Sequence, residues 1–229
     1  MRGLKRLLGR KPAKHYRALN DLDRSLERAC PEICTADTFY IEAGANDGLN
    51  QSNTYFLEEK YGARGLLIEA APSSFERLLA NRSARNIFEC CALIPRDYPD
   101  QFVEMVFSNL MTTVAVDGQS DLPVPSDEHA KIGLQFLSKH LRNYRFGAIA
   151  ATLQSLLTKH AIKKVDLFSL DVEGSELSVL KGVDFEVVDI ERLLIECRDI
   201  DRMVAFLAQH GYALKHQLSK HDYLFLKQS

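Results

Sequence analysis

Short apolar runs alternate with amphipathic segments along the first hundred residues. The runs Thr38–Ala43, Gly65–Ala70 and Ile87–Ile94 end in turn residues and are too short for core helices, so they predict three strands. The segments between them, Gln51–Tyr61 and Phe75–Asn81, carry apolar residues at helical spacing and predict two helices. This β-α-β-α-β order predicts an α/β protein with a doubly wound, parallel sheet.

The second half of the chain continues the alternation after a less regular middle. Val165–Leu170 and Arg192–Cys197 predict a fourth and a fifth strand, and Tyr212–Gln217 and Tyr223–Lys227 predict a closing antiparallel hairpin. The remaining predicted elements are a leading helix at Leu19–Arg28, an extra strand at Phe102–Phe107, and helices at Lys131–Asn143, Ala150–His160, Ser175–Lys181 and Arg202–His210. The expected fold is therefore a mostly parallel, seven-stranded Rossmann-like sheet that ends in an antiparallel hairpin.

Composition places the chain among ordinary globular proteins. Its 229 residues are 46% hydrophobic, with a net charge of −2 that does not favour nucleic-acid binding. Five cysteines without a C-x-x-C pair argue against a zinc site and favour a reducing, cytoplasmic location. No apolar run reaches the length of a membrane span.

Positive charge is concentrated at the N-terminus, where seven basic residues precede the first acid, Asp21. We expect residues 1–30 to form a basic segment with a leading helix, and residues 31–229 to form a single domain. The basic segment has two readings. It is either a solvated terminus or, over residues 1–17, an amphipathic contact with anionic lipid at the inner membrane face. It also resembles a mitochondrial presequence.

A glycine-containing turn follows the first predicted strand. Gly44 and Gly48 allow a sharp turn and a close approach of ligand to the backbone, and the N–H groups of Ala45, Asn46 and Asp47 lie between them. The spacing is G-x-x-x-G, whereas dinucleotide binding uses G-x-G-x-x-G. The turn therefore predicts a nucleotide-like ligand without a pyrophosphate.

Acidic residues follow several of the predicted strands. Glu69 ends the second strand, where a carboxylate can accept hydrogen bonds from both ribose hydroxyls. Asp171, Glu173 and Glu176 follow the fourth strand, and Glu196 ends the fifth. Because the carboxyl ends of parallel strands share one edge of a sheet, we expect these acids to border a ligand site.

Together these motifs resemble the FkbM-type methyltransferases. The resemblance is carried by Phe39–Gly48, Gln51–Thr54, Gly65–Glu69, the D-V-E-G-S-E block at Asp171–Glu176, and Val179–Gly182. It extends from about Phe39 to Asp199. Two positions depart from the family pattern, which often has Asp at Glu42 and at Gln154. Residues 107–144 match poorly, so we expect them to form a variable insertion that selects the substrate.

The resemblance implies S-adenosylmethionine as cofactor and methyl transfer to a hydroxyl, commonly on a sugar. Glu42 would hold the amino group of the methionine moiety. The backbone N–H groups of the turn would meet its carboxylate, and Cys91 and Ala92 would border the adenine. The full set of expected cofactor-binding residues is Glu42, Gly44, Ala45, Asn46, Asp47, Gly48, Asn53, Glu69, Ala70, Cys91 and Ala92.

The hydroxyl proton requires a general base, and Asp171 and Glu173 are the expected catalytic residues. His129, in the variable region, is a further candidate. Hard oxygen ligands from Asp171, Glu196 and Asp199 would suit Mg²⁺, although no metal is required by the expected reaction. The expected partner is a small-molecule or glycan acceptor from polysaccharide, glycolipid or secondary-metabolite synthesis.

Two other functions fit parts of the pattern. An NAD-dependent oxidoreductase shares the strand, glycine turn and ribose acid, but needs the third glycine that this chain lacks. A non-catalytic scaffold could keep the fold, yet it has no need of a ribose acid at Glu69. Both alternatives stay open at this point.

Overall fold

A computed structural model describes residues 15–115, 126–136 and 142–228. Most of the basic segment 1–17, and much of the variable insertion 107–144, lie outside these ranges. Within them, no helix combines the length and apolar character that crossing a bilayer requires.

The strands are short, and most of their residues are buried. They are β1 Phe39–Ala43, β2 Arg64–Ile68, β3 Ile87–Glu89, β4 Ala92–Leu93, β5 Phe102–Phe107, β6 Thr113–Val114, β7 Tyr144–Ala151, β8 Lys164–Val165, β9 Leu167–Leu170, β10 Asp189–Ile190, β11 Arg192–Glu196, β12 Tyr212–Gln217 and β13 Asp222–Lys227. The α-helices are α1 Leu22–Ala29, α2 Tyr55–Tyr61, α3 Pro72–Asn81, α4 Ser126–Ile132, α5 Leu153–Lys159, α6 Glu176–Leu180 and α7 Ile200–Ala208.

The α/β class is confirmed, and the main sheet is mixed. Its seven strands lie in the order β12-β13-β11-β9-β1-β2-β3. β1 pairs in parallel with β2 and β9, and β11 pairs in parallel with β9. β13 is antiparallel to both β11 and β12. The carboxyl ends of β1, β2, β9 and β11 therefore meet at one edge.

A second sheet, which the sequence pattern did not separate, has the order β4-β7-β5-β6. The run Ile87–Ile94 was predicted as one strand, but it divides into β3 in the main sheet and β4 in the second sheet. Both halves of this run are apolar, so hydrophobicity alone does not reveal that the chain changes sheets at Cys90. The prediction of a helix from Ala150 was also wrong at its start, because Ala150 and Ala151 belong to β7.

Two other predicted helices begin at different places. The segment 51–54 precedes α2 as a non-helical turn, with Gln51 at a φ of +60°. The helix expected at Lys131–Asn143 is replaced within the described residues by α4, which starts at Ser126, and a 3-10 turn at Gly133–Phe136. Ser126 lies in a stretch rich in Ser, Pro and Asp, a composition that is typical of loops.

The leading helix packs on the main sheet. Leu22 and Leu26 of α1 are buried in one apolar cluster with Tyr40 of β1 and Phe56 of α2. Before the helix, the Tyr16 ring stacks on Phe56 at a centroid distance of 6.1 Å. Tyr16 thus attaches the residues just before α1 to α2.

A buried guanidinium joins the elements around the first turn. The side chain of Arg82, which follows α3, is fully buried and donates to Glu58 at 2.8 Å and to Glu42 at 3.1 Å. It also donates to the Tyr40 hydroxyl at 2.8 Å and to the Gly48 carbonyl at 3.2 Å. Arg82 therefore connects β1, α2 and the glycine turn through one charge.

The ion pair changes the protonation of Glu58. Burial alone would raise the pKa of this carboxyl, but the charge of Arg82 and hydrogen bonds from Arg82, Ser83 and Asn86 outweigh it, so the pKa lies below its ordinary value. The carboxylate of Glu58 is thus charged at neutral pH despite its burial.

Replacing Arg82 with Met should destabilise the fold by about 3–5 kcal/mol, because it leaves two buried carboxylates without their cation. Urea unfolding followed by circular dichroism measures the change. Arg85→Met is the matched control, since Arg85 is exposed and its side chain donates to the Gly62 carbonyl; it should cost less than about 1 kcal/mol. Equal costs for the two variants would contradict a central role for Arg82.

Candidate cofactor and active site

An open cleft lies at the edge where the carboxyl ends of the parallel strands meet. Its volume is about 860 Å³, counting the part open to solvent. The turn at Ala43–Asn46, the end of β2 and the start of β4 form one side, and the loop Asp171–Ser175 borders it. Met105, Asn109, Leu110, Thr112 and Val114 contribute from the second sheet. A cleft of this size matches sites for small organic ligands.

Gly44 brings the ends of β1 and β9 together. It has a φ of +82°, and a Cβ at this position would lie 1.8 Å from the carbonyl oxygen of Asp171. Any residue with a Cβ would be strained at this φ and would also collide with the Asp171 carbonyl unless the backbone shifted. The glycine expected to admit a ligand therefore also lets the Asp171 backbone approach the turn.

Asn46 and Glu69 form the polar floor of the cleft. The Glu69 carboxylate is buried and accepts the N–H of Asn46 at 2.8 Å and the N–H of Ala71 at 2.7 Å. Burial raises the pKa of Glu69, although these hydrogen bonds oppose the shift. The side-chain amide of Asn46 is buried, and neither its nitrogen nor its oxygen has a partner among the described residues. Asn46 has a φ of +45°, which is uncommon for a residue other than glycine.

Glu42 does not line the cleft, contrary to the expectation that it holds a ligand's amino group. Its carboxylate accepts hydrogen bonds from Ser52 at 2.9 Å, from the N–H of Asn53 at 2.8 Å and from Thr54 at 2.6 Å. Arg82 completes the set at 3.1 Å. Because these internal donors occupy both carboxylate oxygens, Glu42 shapes the turn from behind.

Asp47, Gly48 and Asn53 are also absent from the cleft lining. Asp47 accepts the N–H groups of Leu49 and Asn50 and so stabilises the turn. Gly48 has a φ of +78° and faces the side chains of Leu78 and Arg82.

The remaining expected cofactor residues, Gly44, Ala45, Ala70, Cys91 and Ala92, do line the cleft. Cys91 and Ala92 are buried where the chain passes from the main sheet to the second sheet. Leu93 follows them in the lining. Together they form a largely apolar wall beside the polar floor.

Three carboxylates converge beside the cleft, and two of them, Asp171 and Glu173, line it. One oxygen from each of Asp171, Glu173 and Glu196 lies within 4.8 Å of the others. Burial first, and then the neighbouring Glu196 and Glu173, raise the pKa of Asp171 well above its ordinary value. Glu176 accepts the N–H groups of Val172 and Gly174, and burial still raises its pKa to about 7.

Asp199, which was expected to join Asp171 and Glu196 as a cation ligand, is not part of this group. Its side chain accepts the N–H of Arg202 at 3.1 Å and caps the N-terminus of α7. An Asp directly before a helix is a common cap, and the capping role accounts for its position. Glu173 takes the place that the sequence pattern assigned to Asp199.

His129 contacts the acidic edge from α4. It is 2% exposed, and its Nε2 lies 2.9 Å from a carboxylate oxygen of Glu173. Glu173 itself has a φ of +56°, and Thr113 donates to its carbonyl at 2.9 Å. Strained backbone of this kind is concentrated at functional sites.

Sequence reasoning missed several residues of the site. Nothing in the sequence marks Arg82 as a residue of the site, because a basic residue after a helix is usually solvent-exposed. Ser175 is buried in the cleft wall with an unpartnered hydroxyl, and its position within D-V-E-G-S-E was the one available sign. The walls contributed by β5 and β6 could not be foreseen without the second sheet.

A family model, the methyltransferase FkbM domain, matches residues 42–214 and confirms the resemblance read from the sequence. Among curated proteins, Methyltransferase 1 of Beauveria bassiana is 25% identical over 172 residues, which cover 71% of this chain and 66% of that protein. The chain thus spans less than two thirds of that relative.

Two solved structures align with most of this chain. The methyltransferase FkbM of Methylobacillus flagellatus KT has a TM-score of 0.49 at 15% identity, covering 84% of this chain and 44% of that one. M. jannaschii TYW2, solved in complex with AdoMet, has a TM-score of 0.41 at 12% identity, covering 92% and 78% of the two chains.

Replacing Gly44 with Ala should cost about 1–2 kcal/mol for the left-handed backbone and about 1–3 kcal/mol more for the overlap with Asp171. Gly211→Ala separates these costs, because Gly211 has a φ of +79° with no atom within 4 Å of the added Cβ. Gly147→Ala, which meets neither condition, should be neutral. Thermal unfolding of the three variants checks the order; a Gly44 variant no less stable than the Gly211 variant would contradict it.

Proposed function

The chain belongs to the FkbM methyltransferase family, and on that premise we propose that it transfers a methyl group from S-adenosylmethionine to a hydroxyl of a sugar. The acceptor would belong to polysaccharide, glycolipid or secondary-metabolite synthesis. The single observation that carries the cofactor assignment is the floor of the cleft, where the Glu69 carboxylate lies beside the unpartnered amide of Asn46.

This floor suits a ribose and its neighbouring polar groups. Each Glu69 oxygen accepts one backbone N–H, and a carboxylate oxygen can accept a second hydrogen bond. Two ribose hydroxyls would fill those remaining positions. A buried amide without a hydrogen-bond partner costs free energy, so a ligand that pairs with Asn46 recovers it.

The rest of the cleft matches the other parts of this cofactor. The wall formed by Cys91, Ala92 and Leu93 is apolar and suits a flat base. The turn at Gly44–Ala45 presents backbone to the cleft without a long side chain. When bound, S-adenosylmethionine supplies a methyl group on a sulfonium, which is already reactive toward an oxygen nucleophile.

The protein's own contribution is to orient the acceptor hydroxyl and to receive its proton. Asp171 lines the cleft beside Glu173, where it can orient the acceptor hydroxyl through a hydrogen bond, and burial and the neighbouring carboxylates raise its pKa. Glu173 is partly exposed and paired with His129, so it is better placed to accept the proton. We therefore assign the general base to Glu173 and orientation to Asp171.

The choice of a sugar rests on chemistry as well as on the family resemblance. An ionised carboxylate accepts hydrogen bonds from hydroxyl groups through both of its oxygens, and Asp171 and Glu173 line this edge of the cleft. A polyhydroxyl acceptor can present one hydroxyl for transfer while its neighbours bind the remaining oxygens.

The two alternative functions have less support. A dinucleotide needs a glycine-rich cradle for its pyrophosphate, but Gly48 faces Leu78 and Arg82 and does not line the cleft. A non-catalytic scaffold gains nothing from an unpartnered buried amide at Asn46 or from the strained backbone at Glu173.

We expect S-adenosylhomocysteine to bind the full-length protein in calorimetry, and NAD not to bind. Glu69→Gln should weaken the first interaction about tenfold or more, because a charge-assisted hydrogen bond contributes about 1.5–3 kcal/mol. Glu76→Gln, at an exposed position of α3, is the matched control and should leave the affinity unchanged. Saturable NAD binding without a signal from S-adenosylhomocysteine would overturn the proposed function.

A further inference from the structure

We infer that Asp171, Glu173 and Glu196 form a binding site for a divalent cation that prefers oxygen ligands. Their nearest oxygens lie within 4.8 Å of one another. Oxygen ligands of Mg²⁺, Mn²⁺ or Ca²⁺ bind at about 2.0–2.6 Å, which places two ligands of one ion at most about 4–5 Å apart. The spacing is therefore already compatible with a shared ion.

The three residues come from two strands that hold them in place. Asp171 and Glu173 follow β9, and Glu196 ends β11, which pairs in parallel with β9. The backbone of Asp171 is fixed from the other side by its close approach to Gly44. The two parallel strands therefore bring Asp171 and Glu196 together, and the loop after β9 supplies Glu173.

Ser175 provides an observation that is independent of the acids. It is 3% exposed, its hydroxyl has no hydrogen-bond partner among the described residues, and it lines the same cleft as Asp171 and Glu173. A buried hydroxyl without a partner costs free energy. A ligand oxygen at the cation, or a water bound to it, would satisfy this hydroxyl.

His129 orients one of the three carboxylates. It contacts one oxygen of Glu173 at 2.9 Å, and a carboxylate held in this way can bind an ion through its second oxygen. Carboxylates that bind metal ions are commonly held by such a second hydrogen bond. The buried His129 therefore acts as a positioning residue for the cation site.

The cation's role rests on the proposed function, although its binding does not. Next to an acceptor hydroxyl, a divalent ion lowers the pKa of that hydroxyl and so eases loss of its proton to a carboxylate. The methyl donor and the acceptor would then meet where the cleft reaches this acidic edge.

Titration of the full-length protein with Mg²⁺, Mn²⁺ and Ca²⁺ by calorimetry tests the site. We expect at least one of these ions to bind with 1:1 stoichiometry and a dissociation constant of about 1 mM or lower. Glu196→Gln should weaken this binding tenfold or more. Absence of saturable binding of all three ions up to about 10 mM would overturn the inference.

Asp199→Asn is the matched control. Asp199 is close in sequence and carries the same charge, but it caps α7, and Asn is an equally good cap. Its cation affinity should equal that of the wild type. Equal losses in the Glu196 and Asp199 variants would indicate only nonspecific attraction by negative charge and would contradict the site.

A second measurement covers the case in which Glu196→Gln does not fold. In wild-type protein labelled with ¹⁵N-histidine, bound Mn²⁺ should broaden the ring signal of His129 at lower Mn²⁺ concentrations than the signals of His15 and His216. The His129 signal is the one that is missing from the spectrum of the His129→Gln variant. Uniform broadening would contradict the location. S-adenosylhomocysteine binding is measured on the same samples, so that loss of the proposed function and loss of the cation site are distinguished.

Discussion

The buried guanidinium of Arg82 is the constraint on which the cofactor side of this protein depends. A fully buried cation requires charged or polar partners, and Glu42 and Glu58 supply the charges. Because Glu42 also accepts hydrogen bonds from the turn that follows β1, the ion pair sets the path of that turn. The position of Asn46 at the floor of the cleft follows from this path.

Two sets of acidic residues near this edge of the main sheet have opposite roles. Glu42 and Glu58 both form ion pairs with Arg82 and serve the fold. Glu69 is buried and Asp171 is half-buried, neither forms an ion pair like those of Arg82 among the described residues, and desolvation raises the pKa of both. Such carboxylates cost stability in the free protein, so they are best explained by what the cleft binds. This difference between the two sets explains why an acidic residue at the end of a strand does not by itself indicate a contact with a ligand.

Much of the main sheet could be predicted because each of its strands is marked by a pattern of neighbouring residues in the sequence. The strands that include Phe39–Ala43 and Leu167–Leu170 are apolar runs bounded by turn residues, and Glu69 could be identified by its place after such a run. The second sheet was not predictable, since Ile87–Ile94 is apolar on both sides of the point where it changes sheets. The role of Glu42 was misjudged because its partner Arg82 is distant in sequence and resembles an ordinary surface residue.

The central claim is that Glu69 and Asn46 form the ribose end of an S-adenosylmethionine site. The most direct measurement is a crystal structure of the protein with S-adenosylhomocysteine. The account predicts both ribose hydroxyls within hydrogen-bond distance of the Glu69 carboxylate, the Asn46 amide paired with the ligand, and the base against Cys91 and Ala92. A ligand bound elsewhere, or a ribose that does not contact Glu69, would contradict it.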